Sequence, residues 1–212
     1  VTGPAISRPG RANWIQKRFD ACWRGFCRPF PYLATPERVG GILQRALVGV
    51  GANMAFRRNA LLQLNGFPNR LTGDAADDNY IFYRTLSAGW KIQYMPDSII
   101  YEEHRSGLGE VLWRWFQYGS ANVQVMAEIA FEEGNYSSFF RNVLWTTCTL
   151  PFGWLYAALK RKDTFAGLAF QLVSVLFLVG MAWQFPFSLW RLWRDLARRS
   201  HGQVPEQKEL GG

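Results

Sequence analysis

Two long uncharged stretches constrain this chain more than any other feature. No residue from Asn142 to Leu159 carries a charge, and none does from Phe165 to Trp190. A bilayer's hydrocarbon core is about 30 Å thick, and roughly 20 predominantly apolar helical residues cross it. The second stretch, FAGLAFQLVSVLFLVGMAWQFPFSLW, meets that length. The first, NVLWTTCTLPFGWLYAAL, carries three threonines and Pro151, whose ring frees a backbone carbonyl and kinks a helix. Two transmembrane helices are expected, with a buried or interfacial helix as the other reading of the first. Trp145, Trp154, Trp183, Trp190 and Trp193 bring the aromatic character of helices that cross a membrane interface.

Charge supports the same expectation. The chain has 24 Lys+Arg against 16 Asp+Glu, a formal net charge of +8. A nucleic-acid partner would call for basic residues interleaved with stacking aromatics in the polar part. Here the tryptophans concentrate near the apolar stretches and the basic clusters flank them, so lipid bilayer and no nucleic acid is the expected partner set. Lys160, Arg161 and Lys162 lie between the stretches, and Arg191, Arg194, Arg198 and Arg199 follow the second. The positive-inside rule does not favour both sides. If both helices span and the preceding domain is cytoplasmic, the KRKD loop lies outside and the arginine-rich tail returns inside.

The remainder divides in three: residues 1–136 of mixed character, 137–199 membrane-associated, and a polar tail over 200–212. The 49% hydrophobic and 16% aromatic content excludes disorder. Cys22, Cys27 and Cys148 make no disulfide framework, and Cys22 and Cys27 lack the CxxC spacing of a zinc or redox site. The opening VTGPAISRPGR has no basic region followed by an apolar run, so no signal peptide is expected there, and the chain reads as beginning inside a larger polypeptide.

Within residues 1–136, Ile15, Phe19, Cys22, Trp23 and Phe26 recur at helical intervals and predict an amphipathic helix over 13–27. NMAFRR reads as a short strand or strand edge. RNALLQLNG predicts a short helix stopped by Gly66, and a further helix begins at the aspartates near 77 and stops at Gly89. KIQYM and SIIYE predict strands around a Pro96-Asp97 turn, and a long helix follows over 108–132. Alternating helices and strands give an α/β class.

Chemistry concentrates at Asp74, Asp77 and Asp78, just ahead of a helix that contains Arg84. Three carboxylates in five positions repel one another unless a helix N-terminus, a cation or a reacting proton compensates. Two readings stay open: Asp77 or Asp78 caps the helix, or one carboxylate projects into a cleft as a general base.

The order of segments resembles the C-terminal half of the catalytic domain of family 2 glycosyltransferases, over residues 1 to about 125. A "vtGpv" strand is followed by Gly51, Asn53, Ala55, Phe56, Arg57 and Arg58 at a "G-x-N-x-a-f-r-r" segment, then by Gly66-Phe67 at "GgF". The acidic signature "E-D-x-d-l-x-x-R-l-x-x-x-G" aligns with Asp77, Asp78, Tyr80, Ile81, Arg84, Leu86 and Gly89. Ile92, Tyr94 and Pro96 match "i-x-y-x-P", and Phe116, Tyr118 and Gly119 match "f-x-Y-G". The resemblance implies a partial GT-A (nucleotide-diphospho-sugar transferase) domain in an inverting, membrane-bound enzyme. It would move a sugar from a nucleotide-sugar donor to a lipid-linked or polysaccharide acceptor, with the catalytic domain cytoplasmic.

On that resemblance Asp78 is the catalytic base, Asp77 stands for the Glu that usually precedes it, and Asn53 and Arg84 are substrate-binding. Arg84 as an ion-pairing residue and Asn53 as a turn residue stay equally open. The family's His-x-His pair, near the donor diphosphate and its metal, is here Glu102-Glu103-His104, so Glu102 and His104 are the implied ligands of a divalent Mg or Mn. The family's Asp-x-Asp and nucleotide-binding strands would lie upstream, and the isolated fragment is expected to be inactive. A non-catalytic membrane subunit that uses the domain as a binding module is the alternative. Val111-Leu112-Trp113-Arg114-Trp115 resembles the Gln-x-x-Arg-Trp signature of processive synthases but has Val111 at the Gln position. An interfacial helix, its Trp rings at the headgroups and Arg114 snorkelling, is expected there instead.

Overall fold

The computed structural model of the chain describes residues 1–8, 10–17, 33–35, 51–67, 76–161 and 164–200. Its elements run in the order β1 (Ala5–Ser7), β2 (Leu33–Ala34), α1 (Arg58–Gln63), α2 (Asp77–Ser87), β3 (Ile92–Gln93), β4 (Ile100–Glu102), α3 (Leu108–Glu133), α4 (Tyr136–Arg161) and α5 (Thr164–Ser200). The result is mixed α/β and rich in helix.

The opening segment is the centre of the small β region. β1 lies parallel to β4, with Ala5 opposite Ile100 and Ser7 opposite Glu102. Ahead of it, Thr2 bridges Met54 on one side and Tyr94 on the other. β2 and β3 pair antiparallel, Ala34 opposite Ile92. Gly3 is required at this crossing, because a Cβ there would sit 2.4 Å from the Ser98 carbonyl oxygen.

The predicted helix ends hold where glycine sets them. Gly66 (φ 72°) and Gly89 (φ 84°) adopt the left-handed conformation that halts α1 and α2. Gly134 (φ 64°) does the same for α3. The start of α2 is set otherwise, by Ala76 in the left-handed region (φ 71°) with no side-chain cap. A non-glycine residue there costs on the order of 1 kcal/mol, which packing must offset.

That packing comes from both sides. Ala76, Tyr80 and Tyr83 on one face of α2 meet Ala121, Val125 and Ile129 of α3. Phe82 and Leu86 on the other face share a core with Ala34 and Ile92 of the sheet. Fully burying Phe82 and Leu86 contributes about 1.5–3 kcal/mol each. α2 is thereby wedged between the β region and α3.

α3, α4 and α5 form an up-down-up bundle whose shared core includes Trp115, Val123, Met126, Phe139, Phe177, Met181 and Leu192. Phe139 of α4 stacks on Phe185 of α5 with centroids 5.6 Å apart. α3 and α5 cross at glycines. A Cβ on Gly119 would lie 1.8 Å from the Phe177 carbonyl oxygen, and one on Gly180 would lie 2.0 Å from that of Phe116. Near this crossing the Ser120 hydroxyl donates to Gln184 Oε1 at 3.2 Å. Farther along, Arg191 pairs with the buried Glu128 at 3.3 Å.

Three expectations change. Among the described residues one helix, not two, is long and apolar enough to cross a membrane, over Ser174–Arg198. The start of α4 packs into the bundle, with Phe139 in the shared core. α5 also runs on past Trp190 to Ser200, through Pro186. Finally, Trp115 is core rather than headgroup-facing, at 2% exposure, whereas its neighbour Trp113 is exposed. Helical geometry turns successive side chains by about 100°, so only one of the two faces outward. The predicted amphipathic helix is helical over 14–17, and its remainder lies outside the described residues.

Candidate functional site

Asp77 and Asp78 occupy the first two positions of α2. Asp77 is exposed and Asp78 half-buried. Asp78 Oδ2 accepts the Gly51 N–H at 2.9 Å, and Oδ1 accepts the Asn79 N–H at 2.8 Å. The Gly51 bond spans 27 positions and ties the loop ahead of Asn53 to the helix start. Only glycine fits at 51, since a Cβ would lie 2.8 Å from both the Cβ and Oδ2 of Asp78.

Burial pushes the Asp78 carboxyl above the usual carboxylate range, the Asn79 and Gly51 amides oppose this, and the Asp77 charge adds to it. A carboxylate offers about four lone-pair sites. Two amide bonds therefore leave acceptor capacity on both oxygens. The arrangement suits a proton acceptor: a carboxylate held in place by fixed amides, with its basicity raised by partial desolvation.

α3 brings further groups to this side of α2. The Arg114 guanidinium lies over the Tyr118 ring, 4.9 Å from its centroid. Burial raises the Tyr118 phenol, Arg114 opposes that, and the carboxylates of Asp78 and Glu102 raise it further. Tyr118 thus shares an electrostatic environment with Asp78 from α2 and Glu102 from β4. Asn79 Nδ2 also donates to Asn122 Oδ1 at 3.3 Å, and Asn122 Nδ2 donates to the Tyr118 carbonyl at 2.8 Å.

The other expected site residues fall elsewhere. Asn53 points its side-chain amide into the β region, where Nδ2 donates to the Pro4 and Ser98 carbonyls. Arg84 lies six positions beyond Asp78, about 9 Å of rise and about 240° of turn along the helix. Its Nη1 donates to Glu132 Oε2 at 2.8 Å and to the Tyr80 oxygen at 3.1 Å. Burial works against the Arg84 charge, but Glu132 and Tyr80 more than offset it and raise its pKa. Asp74 lies outside the described residues.

Glu102 Oε2 and His104 Nδ1 stand 3.7 Å apart, two donors at the end of β4. The His104 carbonyl accepts from Gln16 Nε2, and the Ser106 carbonyl accepts from Asn13 Nδ2 at 3.2 Å. Asn13 and Gln16 exchange reciprocal side-chain to backbone bonds of 2.9 Å, a capping box at the start of the helical segment over 14–17, beside this loop. No group of three His, Cys, Asp or Glu side chains close enough to hold a metal occurs among the described residues. The Glu102–His104 pair does not by itself fit a divalent-cation site, and no step is derived through one.

A cavity of about 680 Å³ lies on the sheet side of α2, lined by Phe56, Phe82, Trp90 and Ile92 with Arg57 and Lys91 at its polar edge. Asp78 does not line it.

Two residues escaped the sequence reading. Tyr118 was visible within a motif, but nothing local showed that its phenol lies within electrostatic reach of Asp78. Glu132 carried a weak signal: a carboxylate in the last turn of a helix opposes the helix dipole and calls for a cation, which is Arg84.

Fold and site together define an α/β unit that presents a helix-start carboxylate and is built into a helical bundle. The chain belongs to glycosyl transferase family group 2, whose model matches residues 37–192. The match runs through α3, α4 and most of α5, so the bundle is part of the family's own pattern. Membership supports a glycosyl-transfer function. No curated protein and no solved structure matches the chain.

Proposed function

We propose that this chain provides the acceptor-side surface of a membrane-anchored, inverting glycosyltransferase of GT-A type. Asp78 takes the proton from an acceptor hydroxyl as that oxygen attacks the anomeric carbon of a nucleotide-sugar donor. The new carbon–oxygen bond forms on the face opposite the departing nucleoside diphosphate, whose bond to the sugar breaks. The observation that carries this reading is the half-buried Asp78 carboxylate, held by the Gly51 amide and raised in basicity by burial.

Ser174–Arg198 supports a membrane anchor. Val175, Val179, Trp183, Phe187 and Trp190 leave an exposed apolar stripe along α5, the face a lipid environment would cover. An enzyme held at the bilayer meets lipid-linked or nascent polysaccharide acceptors at high effective concentration. A divalent Mg or Mn at the donor diphosphate belongs to this reading, and Glu102 and His104 alone do not hold it. The catalytic face is cytoplasmic in this reading, with α5 as the anchoring span.

The test is Asp78→Asn in membranes from cells that express the protein at full length. Sugar transfer falls by about 10²–10⁴-fold, the usual worth of a positioned base, while donor binding by equilibrium dialysis is unchanged. Wild-type rates in that variant would remove Asp78 from the reaction. A second reading, a binding module without catalysis, is favoured by the engagement of Arg84 and Asn53 in internal bonds. It predicts no transfer by the wild type.

A further inference from the structure

α2 and α3 are tied at two separated places. Near the start of α2, Asn79 reaches Asn122. From farther along α3, Glu132 accepts from the Tyr80 hydroxyl and from Arg84 in the second half of α2, and Glu133 accepts from the Tyr83 hydroxyl. Asn122 and Glu132 are ten positions apart, about 15 Å along α3. Two anchors at that separation fix both the position and the direction of α2, whereas one leaves a pivot.

Apolar packing on both faces of α2 holds its position more than its direction. Ala76 gives α2 no side-chain cap, and its left-handed conformation stores strain that a loosened helix would release. The apolar seam of Ala76, Tyr80 and Tyr83 on Ala121, Val125 and Ile129 resists separation of the helices, but apolar contact is non-directional and resists rotation less. The Tyr80–Glu132–Arg84 triangle is directional. Both Glu132 oxygens are used, Oε1 by the Tyr80 hydroxyl and Oε2 by the guanidinium.

We propose that Glu132 is a positioning residue for Asp78, acting through Tyr80 and Arg84 to lock the angle of α2 against α3. This rests on the transferase reading for its kinetic consequence but not for its structural one. With Glu132 neutralised, the neutral Asn79–Asn122 and Tyr83–Glu133 bonds remain between α2 and α3; α2 tilts against α3, and the Asp78 carboxylate moves off the Gly51 amide. The role assigned to Arg84 changes accordingly, from a substrate ligand to the cation that completes the lock.

The experiment compares Glu132→Gln, Tyr80→Phe and the charge swap Arg84→Glu with Glu132→Arg, each in the full-length protein. Hydrogen exchange at the Gly51 amide, read by NMR in detergent, reports the Asp78 bond directly. It accelerates in Glu132→Gln, less in Tyr80→Phe, and returns toward wild type in the swap. In parallel, kcat for transfer falls about ten- to a hundredfold in Glu132→Gln, the scale of a misplacement near 1 Å, with KM for the donor within about twofold. Tyr80→Phe removes only a hydroxyl and keeps the test available if Glu132→Gln folds poorly. Unchanged Gly51 exchange in folded Glu132→Gln, or in folded Tyr80→Phe where that variant is the one that folds, overturns the proposal. Accelerated exchange without transfer by the wild type would sustain the lock and reject the transferase reading.

Discussion

Gly51→Ala places the site under the smallest perturbation available. The added Cβ would meet Asp78 Cβ and Oδ2 at 2.8 Å and Cγ at 3.0 Å, where ordinary contact begins at 3.4 Å. The shortfall is about 0.6 Å. A flexible side-chain tip could give way, but Asp78 Cβ is fixed to the helix backbone, so α2 or the 51–56 segment must shift. The Gly51 N–H to Oδ2 bond at 2.9 Å is then stretched or broken. A hydrogen bond to a charged group contributes about 1.5–3 kcal/mol. With misplacement of the base costing up to about 10²-fold in rate per ångström, a loss of about tenfold or more in kcat is expected. The assay is steady-state transfer in membranes, alongside thermal unfolding in detergent. Wild-type kcat together with wild-type melting temperature would refute the claim that this contact orders the site.

Three further outcomes follow from the same structure. Gly119→Ala drives a methyl into the Phe177 carbonyl, and overpacking against backbone that cannot yield costs about 3 kcal/mol or more, seen as a lower melting temperature of the bundle; a neutral result would mean the helices do not cross there. Asp78 has its carboxyl raised by burial from an ordinary 3.8, so its neutral form is favoured on folding. The wild type should therefore lose stability relative to Asp78→Asn as pH rises from about 3.8 through the folded-state value, and denaturant titrations that show the opposite slope would contradict the assignment. A cysteine at Val179, exposed on the outer stripe of α5, should resist a membrane-impermeant maleimide in intact vesicles while one at Leu62 on α1 reacts. Equal labelling would remove the bilayer from that face.

What the sequence showed, it showed through local rules. Gly66 and Gly89 announced helix ends because the left-handed cap is a one-residue requirement, and the Pro96-Asp97 turn separated β3 from β4 in the same way. The aspartates announced the start of α2, although the residue that bears the unusual backbone is Ala76, which no propensity singles out. Tertiary pairing was not legible. Nothing near Arg84 pointed to a carboxylate 48 positions on, and nothing near Gly119 pointed to Phe177. Hydropathy alone did not distinguish α4 from a membrane span, because apolar length is the same demand in a bundle core as in a bilayer. Trp115 was misplaced for the same reason, since an aromatic residue on a long helix serves either setting until the partner helix is known.

The proposed reaction requires an incoming alcohol to come to rest beside one oxygen of Asp78. A structure of the full-length protein with an acceptor analogue and an inert donor measures this directly. The reacting hydroxyl should lie about 2.6–3.2 Å from an Asp78 carboxylate oxygen, with the Gly51 amide still bonded to Oδ2. An acceptor bound in a competent pose with no carboxylate oxygen of Asp78 in reach would contradict it.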